Sequence, residues 1–113
     1  MRNVEIAVRL APGAKPPEGP VTLRVRVEET GAADAPARVV SATVEPGVDL
    51  TAVPRVTLAV PAPGPGARYT VRVHADVDGS GVVEPEDFVS VRSNPVLTQG
   101  SPDAVAVEVK PAR

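Results

Sequence analysis

The sequence predicts an all-β protein: a seven-stranded antiparallel β-sandwich of immunoglobulin-like or transthyretin-like Greek-key shape. Three observations point there. Valine dominates the apolar residues, beside five Leu and one Ile, and β-branched side chains suit a pleated surface. The 14 Pro and 9 Gly are spread between the apolar runs, which forbids long helices. Within the runs, apolar and polar residues alternate with period two. A small closed barrel is the alternative architecture.

Residues 3–10 alternate cleanly, with Val4, Ile6, Val8 and Leu10 on the inward side. The stretch APGAKPPEGP at 11–20 is a loop by composition. A second strand spans 21–28, with Val21, Leu23, Val25 and Val27 inward and Thr22, Arg24, Arg26 and Glu28 outward. Residues 29–36 connect it to a third strand at 37–45. There Val39 and Val40 are adjacent, so the alternation needs a bulge. Pro46-Gly47 breaks the chain, and 47–54 are a connection. The fourth strand, 55–60, turns Val56, Leu58 and Val60 inward, and PAPGPGA at 61–67 is a rigid loop. The fifth, 68–75, turns Tyr69, Val71, Val73 and Ala75 inward and sends Arg68, Thr70, Arg72 and His74 to solvent. An acidic loop at 76–87, a short strand at 88–92 and a long turn at 93–103 follow. The last strand, 104–110, faces Val105, Val107 and Val109 inward. The first and last strands are expected at the sheet edges.

With 113 residues the chain is one domain, which buries about 65% of its unfolded surface without staples. The absence of cysteine excludes disulfides, thiolate metal sites and thiol nucleophiles. A single histidine leaves no His-rich metal site. Tyr69 and Phe88 are the only aromatic residues, too few for a stacking platform, and the net charge of −2 gives no attraction for nucleic acid. No apolar run approaches the ~20 residues of a membrane-spanning helix, so no membrane insertion is expected. No apolar leader segment follows Met1-Arg2. The expected compartment is cytoplasmic if Met1 is native, and periplasmic or extracellular if a leader was removed.

One motif carries chemistry. Residues 76–87 read DVDGSGVVEPED. Asp76, Asp78 and Ser80 occupy loop positions 1, 3 and 5, Gly81 position 6, Val82 position 7, Glu84 position 9 and Asp87 position 12. This is the oxygen-ligand spacing of an EF-hand-type calcium loop, with the Val82 carbonyl as a ligand and a glycine at the sharp turn. A strand precedes the loop, so the expectation is a Ca2+ loop set between two strands. Asp at the last position shortens the bidentate reach, which points to weak affinity. Pro85-Glu86-Asp87 read as the first turn of a short helix. The competing reading is a solvated turn of Asp, Gly and Ser.

Other signals are weaker. Only one His is available for a triad, and no G-x-S-x-G surrounds a serine, so no enzyme is expected. His74 reads as a surface residue. Arg9, Arg24, Arg26 and Arg72 all face outward. They either pair across strands with Glu5, Glu28 and Glu108 or form a basic face for an anionic partner.

Three segments resemble the YbaY/YscW-like family of small bacterial β-sandwich proteins, which includes type III secretion lipoprotein chaperones (pilotins). They are VTLRVRVEETGAADAPARVV at 21–40, with ADAP at 33–36, RYTVRVHADVDGSG at 68–81, and VLTQGSPDAVAVEVK at 96–110. The resemblance implies a non-enzymatic sandwich that binds or escorts another protein. The family's lipid-modified Cys has no counterpart in this chain. The function read from the sequence is therefore a protein-interaction or chaperone-like module, a monomer or weak homo-oligomer, with a candidate calcium loop. The alternative is a purely structural domain of a larger assembly without metal.

Overall fold

The computed structural model describes residues 1–30, 37–64, 66–97 and 103–113. Strands β1 (Arg2–Leu10), β2 (Val21–Glu29), β3 (Arg38–Val48), β4 (Arg55–Val60), β5 (Tyr69–Asp76), β6 (Phe88–Ser90), β7 (Pro95–Val96) and β8 (Ala104–Pro111) follow in chain order. A single 3-10 turn, Leu50–Ala52, lies between β3 and β4. The ADAP stretch at 33–36 lies outside the described residues, as do Pro65 and 98–102.

All eight strands belong to one sheet, ordered β3-β2-β5-β6-β8-β1-β4, with β7 added to β5. Its two edges curl toward each other, and the Ser41 hydroxyl on β3 donates to the Ala59 carbonyl on β4 across 2.8 Å. The architecture is thus a nearly closed, barrel-like sheet rather than an antiparallel sandwich. The pairing is also mixed, because β1 and β8 run parallel from Glu5↔Ala104 to Leu10↔Val109. The expected count of seven strands missed β7. The expected edges were wrong too: β1 and β8 lie inside the sheet, and β3 and β4 bound it.

The inward positions of β1, β2 and β4 are those the alternation predicts, and Val4, Ile6, Val8, Val21, Leu23, Val25, Val27, Val56, Leu58 and Val60 are all buried. Burying each such side chain contributes roughly 1.5–3 kcal/mol. Leu50, on the 3-10 turn between β3 and β4, is buried with this core. Asp49 holds that turn by accepting from the Thr51 amide at 3.0 Å.

β3 bounds the sheet with a bulge and a polar inward run. A bulge falls at Val40, where Val27↔Ser41 is followed by Glu28↔Val39, as the adjacent valines predict. Beyond it Ser41, Thr43 and Glu45 lie opposite Val27, Val25 and Leu23, on the inward side. Polar residues there keep contact with water, Ser41 and Thr43 half-buried and Glu45 exposed, so this edge adds little to the apolar core. Val39 and Val44 are left on the outside, each 52% exposed. Pro46-Gly47 does not end the strand: Gly47 takes φ +66 inside an irregularity, and pairing resumes at Val21↔Val48.

Candidate functional site

The loop 76–87 closes over the outer face of β5, and that closure overturns the outward reading of His74. Alternation does put His74 opposite Arg24 on the outer face. The loop then covers it, and only 6% of the residue remains exposed. Period-two patterning reports which face a side chain takes, not what later folds across it.

Two carboxylates fasten the loop. Asp76, the last residue of β5, accepts from Gly79 N at 3.0 Å through Oδ1. Its Oδ2 accepts from Gly81 N at 2.7 Å and from Arg24 Nε at 3.1 Å. The chain can wrap this tightly because Gly79 and Gly81 adopt φ of +74 and +84. Burial pushes the Asp76 carboxyl up. The Gly81 N–H, the Arg24 guanidinium, the Asp78 side chain and the His74 charge outweigh it and hold it at about 2. Asp87 closes the other end. Its Oδ1 accepts from Val77 N at 2.9 Å. Its Oδ2 accepts from Glu84 N at 3.1 Å and from His74 Nε2 at 2.8 Å. Asp76 and Asp87 are both fully buried.

The outer side of the loop gathers free oxygens. Ser80 Oγ donates to Glu84 Oε1 at 2.9 Å and stands 3.3 Å from the Val82 carbonyl. Asp78 Oδ1 accepts from Ser80 N at 3.1 Å. A hydrogen bond shared with Asp78 raises the Glu84 acid above its usual range, reinforced by the Asp78 charge. Carboxylate oxygens of Asp78, Glu84 and Glu86 all lie within 4.8 Å of one another. The Pro85-Glu86 segment is a single turn closed by Asp87 N to Glu84 O at 2.9 Å, not the start of a helix.

Of the six predicted ligands, Asp78, Ser80, Val82 and Glu84 come together on this outer side, whereas Asp76 and Asp87 gather with His74 in a separate buried group whose ligand atoms lie within 4.8 Å of one another. Asp87 turns the opposite way, into the sheet, because Asp is too short to reach back past the amides it accepts. Sequence reasoning missed Arg24 and His74 as loop anchors and Glu86 as a member of the acidic group. The Arg24↔His74 pairing that brings both under the loop is a register between strands about 50 residues apart. The outer oxygens form a hard-donor cluster suited to a divalent cation. In this loop Ser80 bonds Glu84 and His74 is held by Asp87, so the one serine and the one histidine here are engaged by different acids.

The four arginines do not form one face. Arg24, Arg26 and Arg72 share the outer face of β2 and β5, whereas Arg9 lies on β1 across the sheet. Arg26 and Arg72 both reach Glu28, at 2.6 and 3.4 Å, and Arg9 stands 3.9 Å from Glu108. The Arg26 hydrogen bond, with both guanidinium charges, holds the Glu28 carboxyl below its usual value against the effect of burial. Pairing with acids is therefore the rule, as expected for Glu28 and Glu108. Arg24 has become part of the loop.

No family model matches the chain, and no curated protein matches it either. Among solved structures it is similar to an alternative pilotin from the type II secretion system of Vibrio cholerae. The TM-score is 0.79 at 18% identity, over 99% of this chain and 97% of that one. At that identity the likeness shows the fold. Among the described residues, no helix is long and apolar enough to cross a membrane.

Proposed function

We propose that this chain is a non-enzymatic protein-interaction module of the pilotin kind, related to the YbaY/YscW-like proteins, which escorts or docks a component of a secretion apparatus. The fold match carries the reading: it covers 99% of this chain and 97% of that pilotin. Cross-linking in the producing cells tests it, with photo-reactive residues at Val39 and Val44 on the exposed outer face of β3 and mass spectrometry of the adducts. Repeated adducts with one secretion component support the role. Self-adducts alone would favour the purely structural alternative and overturn it.

In this reading the loop 76–87 takes Ca2+ through Asp78, Ser80, the Val82 carbonyl and Glu84, with Asp76 behind them and Asp87 as an inner anchor. Glu86 is a further oxygen donor at hand. With a single neighbouring Asp in place of a long bidentate Glu, affinity belongs in the range of about 10⁻⁴–10⁻³ M. Such a site fills where calcium is millimolar, which suits an extracytoplasmic setting. Calorimetric titration of the chain should show saturable binding that Asp78→Ala abolishes. Heat evolution equal in both proteins would dismiss the metal and leave the loop a turn.

A further inference from the structure

We propose that the crevice between β8 and residues 91–94 recognises a carboxylate on an extended acidic segment of a partner protein. This rests on the reading of the chain as a protein-interaction module and assigns one contact of that module.

The crevice arises where the sheet is interrupted. β6 ends at Ser90 and β7 starts at Pro95. Between them the chain satisfies β5 by other means. Ser90 Oγ accepts from Val73 N at 2.9 Å, Asn94 O accepts from Val71 N at 2.9 Å, and Asn94 Nδ2 donates to Val71 O at 3.3 Å. Nothing similar serves β8. Its parallel bonds to β1, such as Glu5 N to Asp103 O and Ala11 N to Val109 O, use the amide groups of odd-numbered residues. Those of Ala106 and Glu108 point away from β1, and pairing with β6 begins only at Val109. Among the described residues, no backbone group pairs with Ala106 or Glu108 on that side. A short run of strand edge is left open.

Charge gives this edge its ligand. The crevice, of about 70 Å³, is lined by Arg9, Arg92 and Lys110 around Ala106, with Glu108 as its single acid. Glu108 is only loosely engaged by Arg9, at 3.9 Å. Arg24, Arg26, Arg38, Arg55 and Arg72 each have a carboxylate within 3.4 Å. Arg92 and Lys110 make no ion pair among the described residues. Two unpaired cations and free backbone N–H groups around one small cavity suit a carboxylate, which guanidinium and amide donors grip together. An open strand edge suits the extended backbone that would deliver it.

The test is an amide-resolved NMR titration of the full chain with an extended hexapeptide, blocked at both ends and carrying a central Asp-Glu. Its Asn-Gln counterpart and inorganic phosphate serve as the other arms. The acidic peptide is expected to move the Ala106 and Glu108 amides saturably, and the Asn-Gln peptide to leave them in place. The exposed double substitution Arg92→Gln with Lys110→Gln is expected to weaken binding about tenfold, the size of losing one good charge-assisted contact. Unmoved amides, equal binding of the neutral peptide, or an unaffected double variant would each overturn the proposal. So would phosphate alone giving the same shifts, since that marks a free-anion site. If the wild-type chain fails to bind the acidic peptide while the cross-links from Val39 and Val44 persist, the partner reading stands and only the crevice assignment falls.

Discussion

Asp76 shows how one residue can be a motif position and a structural bolt at once. From the sequence it is loop position 1, and the spacing of Asp76, Asp78, Ser80 and Glu84 was legible without any structure. Its partners were not. Arg24 is 52 residues away, and nothing in a single strand's alternation says that β2 lies beside β5 with Arg24 in reach. Asp87 fits the same spacing rule yet turns inward, because the rule counts residues while the amides of Val77 and Glu84 and the His74 ring claim its oxygens. The anchoring role of Asp76 has an acid signature. Its carboxyl is lowered from 3.8 to about 2. A depressed carboxylate contributes its full stabilisation above about pH 4 and loses it as the pH falls through about 2. The shift corresponds to about 2 kcal/mol. Urea midpoints followed from pH 5 to pH 2 should fall more steeply for the wild type than for Asp76→Asn, which starts less stable and lacks this titration. Parallel slopes would remove Asp76 from the acid limb.

At the scale of the element, the strands with one buried face were readable and the irregular ones only partly so. β1, β2 and β4 follow their apolar alternation residue by residue. β3 could be read as far as its bulge, because two adjacent valines cannot share a face. Its polar inward run was not foreseeable, since period-two reasoning assigns the apolar side to the core and here Val39 and Val44 lie outside. β7, two residues long and opened by a proline, has no pattern to detect. The turn between β3 and β4 carries a local strain that the sequence hides. Val53, which ends it, sits at φ +49 and ψ +66, in the left-handed region that β-branched residues avoid. Its side chain is 46% exposed, so little packing is lost on removing it. Val53→Gly should therefore raise stability by about 1 kcal/mol, the left-handed penalty less the added freedom of the unfolded chain. A lower denaturant midpoint for the variant would mean that Val53 packs more firmly than its exposure implies.

At the scale of the whole molecule, β8 joins the sheet together. Among the described residues, it is the strand that links β3-β2-β5-β6 to β1-β4, and it reaches β1 in parallel. Local patterning could say that residues 104–110 form a strand with Val107 and Val109 inward, but not which strand it meets. Parallel pairing of segments almost 100 residues apart leaves no turn to announce it. That separation also sets an order of events. The β2–β3 contacts close a short loop, while the β1–β8 contacts require nearly the whole chain to be closed first. Formation of the β2–β3–β5 region should thus precede the rate-limiting barrier, and docking of β1 on β8 should follow it. Val25 and Val107 are both buried valines, at 1% and 0% exposure, so Val25→Ala and Val107→Ala should each cost roughly 2 kcal/mol. The cost should divide differently between the rates. Val25→Ala slows folding, whereas Val107→Ala leaves folding nearly unchanged and speeds unfolding by about tenfold or more. Denaturant-jump kinetics on the two variants would read this directly. If Val107→Ala slowed folding as much as Val25→Ala, the parallel pair would already be formed at the barrier, and β8 would organise the fold from the start rather than lock it at the end.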